Sequence, residues 1–127
     1  MDGVHRFQDL VAWQLAIQLT QVVHAYCERP AIRRDFKFRE QLVDAAASAP
    51  RNIAEGFGRV YHPEFARFAI IAKASEHEVL NHLIDAHQRR YITDAELGRG
   101  DHAARKALKV LNGLIAYLEA TPNWGRK

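Results

Sequence analysis

A proline inside an alanine-rich helical run constrains this chain more than any other feature: Ser48-Ala49-Pro50-Arg51-Asn52-Ile53-Ala54-Glu55-Gly56-Phe57-Gly58-Arg59. A helix-interior proline lacks the N–H that would bond the carbonyl four residues back, here Ala46. Its ring also presses on that carbonyl, at a cost of about 3 kcal/mol unless the helix bends. The freed carbonyl then needs another donor. Asn52 and Glu55 are the nearest polar side chains for freed backbone groups, and Gly56 and Gly58 supply the chain reversal that ends the segment. The expected structure is a kinked, capped core helix. No nucleophile and base stand beside it at usable spacing, so the segment reads as architecture.

Apolar spacing predicts an all-α chain with helices over about residues 7–28, 36–57, 63–90 and 94–119, in one domain spanning 1–127. The first helix carries two stripes, Leu10, Trp13 and Ile17 on one side and Val11, Leu15, Leu19, Val22 and Tyr26 on the other. An arc wider than half a helix calls for several neighbours, another subunit among them. Pro30 and the charged segment Arg29 to Asp35 break the pattern before the second helix. His62-Pro63-Glu64 opens the third, with proline and an acid where the first turn favours them. Its core stripe is Phe65, Phe68, Ala72, Val79, Leu83 and Ala86, and Ala66, Ala69, Ala72, Ala74 and Ser75 allow close helix contact. Thr93 and Glu96 have capping-box spacing, with Asp101 as a rival cap, and Gly98 and Gly100 weaken the first turns of the fourth helix. Its strong part is Ala104, Leu108, Leu111, Ile115 and Leu118. Helices about 33–40 Å long joined by short connections close most simply as an antiparallel up-down-up-down four-helix bundle with a proline-kinked second helix. The tail from Thr121 to Lys127 reads as frayed, with local docking of Trp124.

The chain's 127 residues are 48% hydrophobic and 26% charged, which suits one modest core. Eighteen Lys and Arg against 15 Asp and Glu leave a net charge of +3, too little to demand an anionic partner and enough to allow one. The single cysteine, Cys27, excludes an intrachain disulfide and reads as a small hydrophobe in a reducing cytoplasm. The segment from Met1 to Arg6 lacks a signal-peptide apolar core, and no apolar run of about 18 residues offers a membrane span. A soluble cytoplasmic protein is expected.

Candidate chemistry is sparse. His77, His82 and His87 stand five apart, so each step turns about 140° and no two share the face a zinc-protease helix requires. Glu-x-x-His pairs of di-iron bundles do not occur, and no metal or cofactor is expected. Gly56-Phe57-Gly58 lacks the third glycine and the preceding strand of a phosphate loop. Ser48 and Ser75 have no paired base and read as packing or backbone-bonding groups. In an up-down bundle the first and third loops share an end. Arg29, Arg33, Arg34, Lys37 and Arg39 would then lie near Arg89, Arg90, Arg99, Arg105 and Lys106. Glu28, Asp35, Glu40, Asp85, Asp94, Glu96 and Asp101 are interspersed there, so for a monomer a solvated mixed-charge end is the plainer reading. Arg99, His102, Lys106 and Lys109 follow at steps of three and four as one basic stripe. The candidate nucleic-acid contacts are Arg33, Arg34, Lys37, Arg39, Arg89, Arg90, Arg99, Lys106 and Lys109.

Together these motifs resemble the small four-helix-bundle proteins encoded in intervening sequences of bacterial large-subunit ribosomal RNA genes. The related accessory variability determinant of diversity-generating retroelements is similar. The resemblance rests on Phe7, Asp9, Leu10, Trp13 and Gln14; on Gln41, Ala45, Ala46, Ser48, Pro50, Asn52, Ile53, Ala54, Glu55, Gly56 and Arg59; and on Glu64, Phe65, Arg67, Phe68, Ile71, Ala72, Ser75, Glu78 and Leu83. Val43 and Asp44 depart from it, standing where two basic residues are usual. Ala49 replaces a larger aliphatic, and Ala74 and Glu76 replace a glycine and a leucine. The resemblance implies a homopentamer without catalytic activity and, in the retroelement member, a reverse-transcriptase partner and RNA binding.

The expected function is that of a non-enzymatic oligomeric scaffold or adaptor that binds RNA or an RNA–DNA hybrid electrostatically. A protein-interaction module without nucleic acid is the alternative. Asn52, Glu55 and Arg59 are expected to form a polar network with Glu78 or Arg67, holding the second helix to the third.

Overall fold

Where the sequence spacing predicts helices, helices form. The computed structural model describes residues 3–124, and among them there is no strand. After a 3-10 turn at Phe7–Asp9, α1 spans Val11–Tyr26, so the first helix starts later than expected because Leu10 is extended. Pro30 begins a short helix rather than a plain break: α2 covers Pro30–Arg34, with proline in the first turn, where no N–H is missed. The longer α3 covers Phe36–Phe57, and the Asp35 side chain caps it by accepting from Phe38 N at 3.3 Å. Next come α4, His62–Gln88, and α5, Asp94–Ala120. The expected capping box starts α5: Glu96 N donates to Thr93 Oγ1 at 3.1 Å and Thr93 N to Glu96 Oε1 at 2.8 Å. Asp101 instead pairs with Arg105 at 2.9 Å. Residues 125–127, part of the expected frayed tail, lie outside the described residues.

The long helices pack in pairs, α1 on α3 and α5, and α4 on α3 and α5. The α1 C-terminus meets the α5 N-terminus, where Tyr26 Oη donates to the Glu96 carbonyl at 2.7 Å. The start of α4 is tied to the end of α5, where buried His62 Nδ1 lies 2.7 Å from Thr121 Oγ1, and Trp124 docks beside it with ring centroids 5.7 Å apart.

Two apolar clusters make up the core. One gathers Leu19, Val23, Tyr26, Phe38, Leu42, Val79 and Leu83, with free Cys27 buried in it. The other gathers Leu10, Ala16, Ala49, Ile53, Phe65, Ala69, Ala72, Leu111, Ile115 and Leu118. On α5 the expected stripe is buried throughout. On α1 Leu15, Leu19 and Tyr26 are buried, Trp13, Ile17 and Val22 are half-buried, and Val11 is 54% exposed, so part of the wide arc faces outward. On α4 the inward line is Phe65, Ala69, Ala72, Glu76, Val79, Leu83 and Ala86. Steps of four and three keep that line on one face. Phe68, expected on it, is half-buried, and Ala69 takes its place.

Glycine acts here by absence of bulk. A Cβ on Gly56 would stand 2.7 Å from Phe65 Cδ1 and 2.8 Å from Phe68 Cβ, so this glycine lets α3 and α4 approach rather than reversing the chain. Gly58 keeps a helical φ of −68°, and the left-handed turn residue is Val60, with φ 65°. For a β-branched residue that conformation is strained.

Candidate functional site

Pro50 sits in the middle of α3, and the carbonyl it frees is served from another helix. Thr20 Oγ1 on α1 lies 3.2 Å from the Ala46 carbonyl and 3.0 Å from Ala16 O, so its proton is shared between them. This corrects the assignment to Asn52 and Glu55. Asn52 Nδ2 donates to Ser48 O at 2.8 Å and to Ser48 Oγ at 3.1 Å. Ser75 Oγ donates to Ile71 O at 3.1 Å, which leaves Ser48 as the donor across the 2.7 Å contact between the two hydroxyls. A one-way chain from Asn52 through Ser48 to Ser75 therefore joins α3 to α4.

The rest of the expected network lies elsewhere. Glu55 and Arg67 are exposed; Arg59 approaches Glu64 at 4.0 Å and stacks on Phe68 at 5.0 Å. Glu78 pairs with His82 at 3.3 Å. The physical reason is helical phase. Asn52 lies on the Ser48 side of α3, which meets α4, whereas Glu55 is on the exposed side, and Arg59, past the end of α3, reaches Glu64 and Phe68 near the start of α4 instead.

Glu76 is the group that sequence reasoning missed. It is 0% exposed, neither carboxylate oxygen has a hydrogen-bond partner, and it falls on α4 between Ala72 of one core cluster and Val79 of the other. Burial alone pushes its carboxyl up to about 8, so it is neutral at pH 7. The alternating four-three spacing from Phe65 to Ala86 is the signal that exposes it as a core position.

The basic residues do meet at one end, and there the acids are largely occupied. Asp35 accepts from Tyr91 Oη at 2.8 Å and from Arg89 at 3.3 Å. The Tyr91 bond, then the Phe38 N–H and the Arg89 charge, hold its carboxyl below the usual range. Arg89 also binds Asp85 at 3.1 Å and stacks on Phe38 at 5.2 Å, so it is a structural clamp. Glu96 receives Arg29 at 3.6 Å, and Glu28 faces Arg33 at 4.0 Å. Among the described residues these pairs leave exposed Arg34, Lys37, Arg90, Arg99, Lys106 and Lys109 without a carboxylate partner, and Arg39 half-buried. Arg90 has φ 63°, and the bonds from Arg90 N to His87 O and from Tyr91 N to Ala86 O close α4 around it.

The opposite end holds a cavity of about 300 Å³ lined by Val4, His5, Phe57, Val60, His62, Phe65 and Trp124. Burial lowers the His62 pKa, so its imidazole is neutral at pH 7. Among the described residues no three His, Cys, Asp or Glu side chains converge on a point that could hold a metal ion, and no helix is long and apolar enough to cross a membrane.

Fold and site together define a small all-helical protein in which polar side chains stitch helix to helix. The sequence model of the 23S rRNA-intervening sequence proteins matches residues 8–113, and the chain belongs to that family. No curated protein matches it.

Proposed function

We propose that the protein is a non-enzymatic, self-associating scaffold that holds nucleic acid electrostatically. The observation that carries this reading is apolar surface left uncovered: Ile70 and Ile71 are each 47% exposed and Ile84 41% on α4, with Tyr117 40% exposed on α5. Exposed aliphatics on a helix flank leave apolar surface that self-association can cover. The family likeness supports a homopentamer. It also supports the finer arrangement of an antiparallel up-down-up-down bundle bent at Pro50, as do the short connections and the helix pairs in contact. The Ser48 and Ser75 hydroxyls are spent on each other and on a backbone carbonyl, which favours a role without catalysis.

The unpaired cations at one end support an anionic partner, and an oligomer multiplies them. By likeness to the retroelement accessory protein, that partner is RNA or an RNA–DNA hybrid, together with a reverse transcriptase, in the cytoplasm. A protein-interaction module without nucleic acid is the second reading, favoured by Val43 and Asp44 where the family resemblance has two cations.

Retention of structured RNA on filters against salt separates the two. The first reading expects binding that collapses between about 50 and 200 mM salt. Absence of retention at the lower salt overturns it and leaves the second.

A further inference from the structure

Phe36 is an aromatic side chain that the fold does not use. It stands in the first turn of α3, is 75% exposed, more than any other large hydrophobic among the described residues, and belongs to neither core cluster. Its immediate neighbours are mainly cationic, with one exposed acid, Glu40, a turn further along α3. Arg33 and Arg34 end α2 just before it, and Lys37 follows it. Asp35, the adjacent acid, is neutralised within the fold by Arg89, Tyr91 and the Phe38 N–H. Those bonds also draw the turn that carries Arg90 to the same corner.

We propose that Phe36 is a base-stacking platform for single-stranded nucleic acid, with Arg34, Lys37 and Arg90 holding the flanking phosphates. An exposed ring bordered by unpaired cations is the pairing that such strands require. Every base offers a π-face to stack, and the backbone supplies one negative charge per nucleotide. In a duplex the base faces are already stacked, so a lone surface ring gains nothing from it. The corner therefore selects unpaired strands, with little sequence preference. The inference rests on the nucleic-acid reading above and adds the form of nucleic acid recognised.

Anisotropy of a fluorescein-labelled oligoadenylate, titrated with the full chain at several salt concentrations, tests it. Wild-type protein is expected to bind the single strand more tightly than a duplex of equal length. Phe36→Ala should weaken binding about tenfold with the salt slope unchanged, whereas Lys37→Gln should lower the salt slope by about 0.7. Circular dichroism and native mass of both variants should match wild type.

Salt-dependent binding that ignores Phe36→Ala, or that favours the duplex, overturns the stacking platform and spares the electrostatic reading. No binding by the wild type overturns both. Unchanged affinity with a reduced native mass in Phe36→Ala assigns the ring to subunit contacts and also overturns the proposal.

Discussion

At the scale of single residues, the cost of burying an unpartnered carboxyl at Glu76 appears as a pH dependence with a definite sign. Its carboxyl is raised from the ordinary 4.5 to about 8 in the folded protein. Below about pH 4.5 both folded and unfolded chains hold the proton. Between there and about pH 8 only the folded chain does, so stability falls as pH rises, by at most about 1.4 kcal/mol per pH unit. Above about pH 8 both forms are ionised and the contribution levels off. Urea midpoints measured from pH 5 to 8.5 should decline in the wild type and decline less in Glu76→Gln. Parallel profiles would show that Glu76 is not the source. In the sequence, this glutamate registers only as a departure from the family's leucine. Reading it as a core residue requires the helical phase fixed by Phe65, Ala69, Ala72 and Val79, and the stripe read from the sequence took Phe68 in place of Ala69 and passed from Ala72 to Val79 with no residue between.

Among the elements, the joint between α1 and α3 depends on a side chain remote in sequence from the proline it compensates. Thr20→Val removes the donor to the Ala46 carbonyl and should cost about 1–2 kcal/mol. In a Pro50→Ala background the restored backbone N–H serves that carbonyl, so the same substitution should cost clearly less. Chemical denaturation of the four proteins closes the cycle. Equal costs in both backgrounds would sever the link between Thr20 and Pro50. Pro50 announced in sequence that a carbonyl would be free, because the backbone chemistry is local. The donor was not legible, since it comes from a helix whose position depends on packing. The start of α3 and the Thr93–Glu96 capping box were legible for the converse reason, being set by side chains within a turn of the ends they cap. The reversal after α3 was misassigned to glycine. Val60 holds the left-handed turn, and Gly56 serves the close approach to Phe65.

For the whole molecule, the outward half of the apolar surface decides the account. The sequence showed an arc on the first helix too wide for one neighbour. The structure buries Leu15, Leu19 and Val23 and leaves Val11 outward, while Ile70, Ile71 and Ile84 are uncovered on α4. These isoleucines escaped sequence reasoning because an aliphatic residue on a helix reads as core until the opposite face is known. The charged end shows the reverse. Its mixed composition read as a solvated, mixed-charge end, but Asp35, Asp85 and Glu96 are occupied within the fold, so the cations left over matter more than the net charge. Self-association would cover the isoleucines and repeat the cationic corner around the assembly.

Native mass at micromolar protein tests that claim most directly. The account predicts a particle at a multiple of the 14.5 kDa chain, five-fold on the family likeness, reduced when Ile70→Glu and Ile71→Glu are combined. A monodisperse 14.5 kDa particle would contradict it.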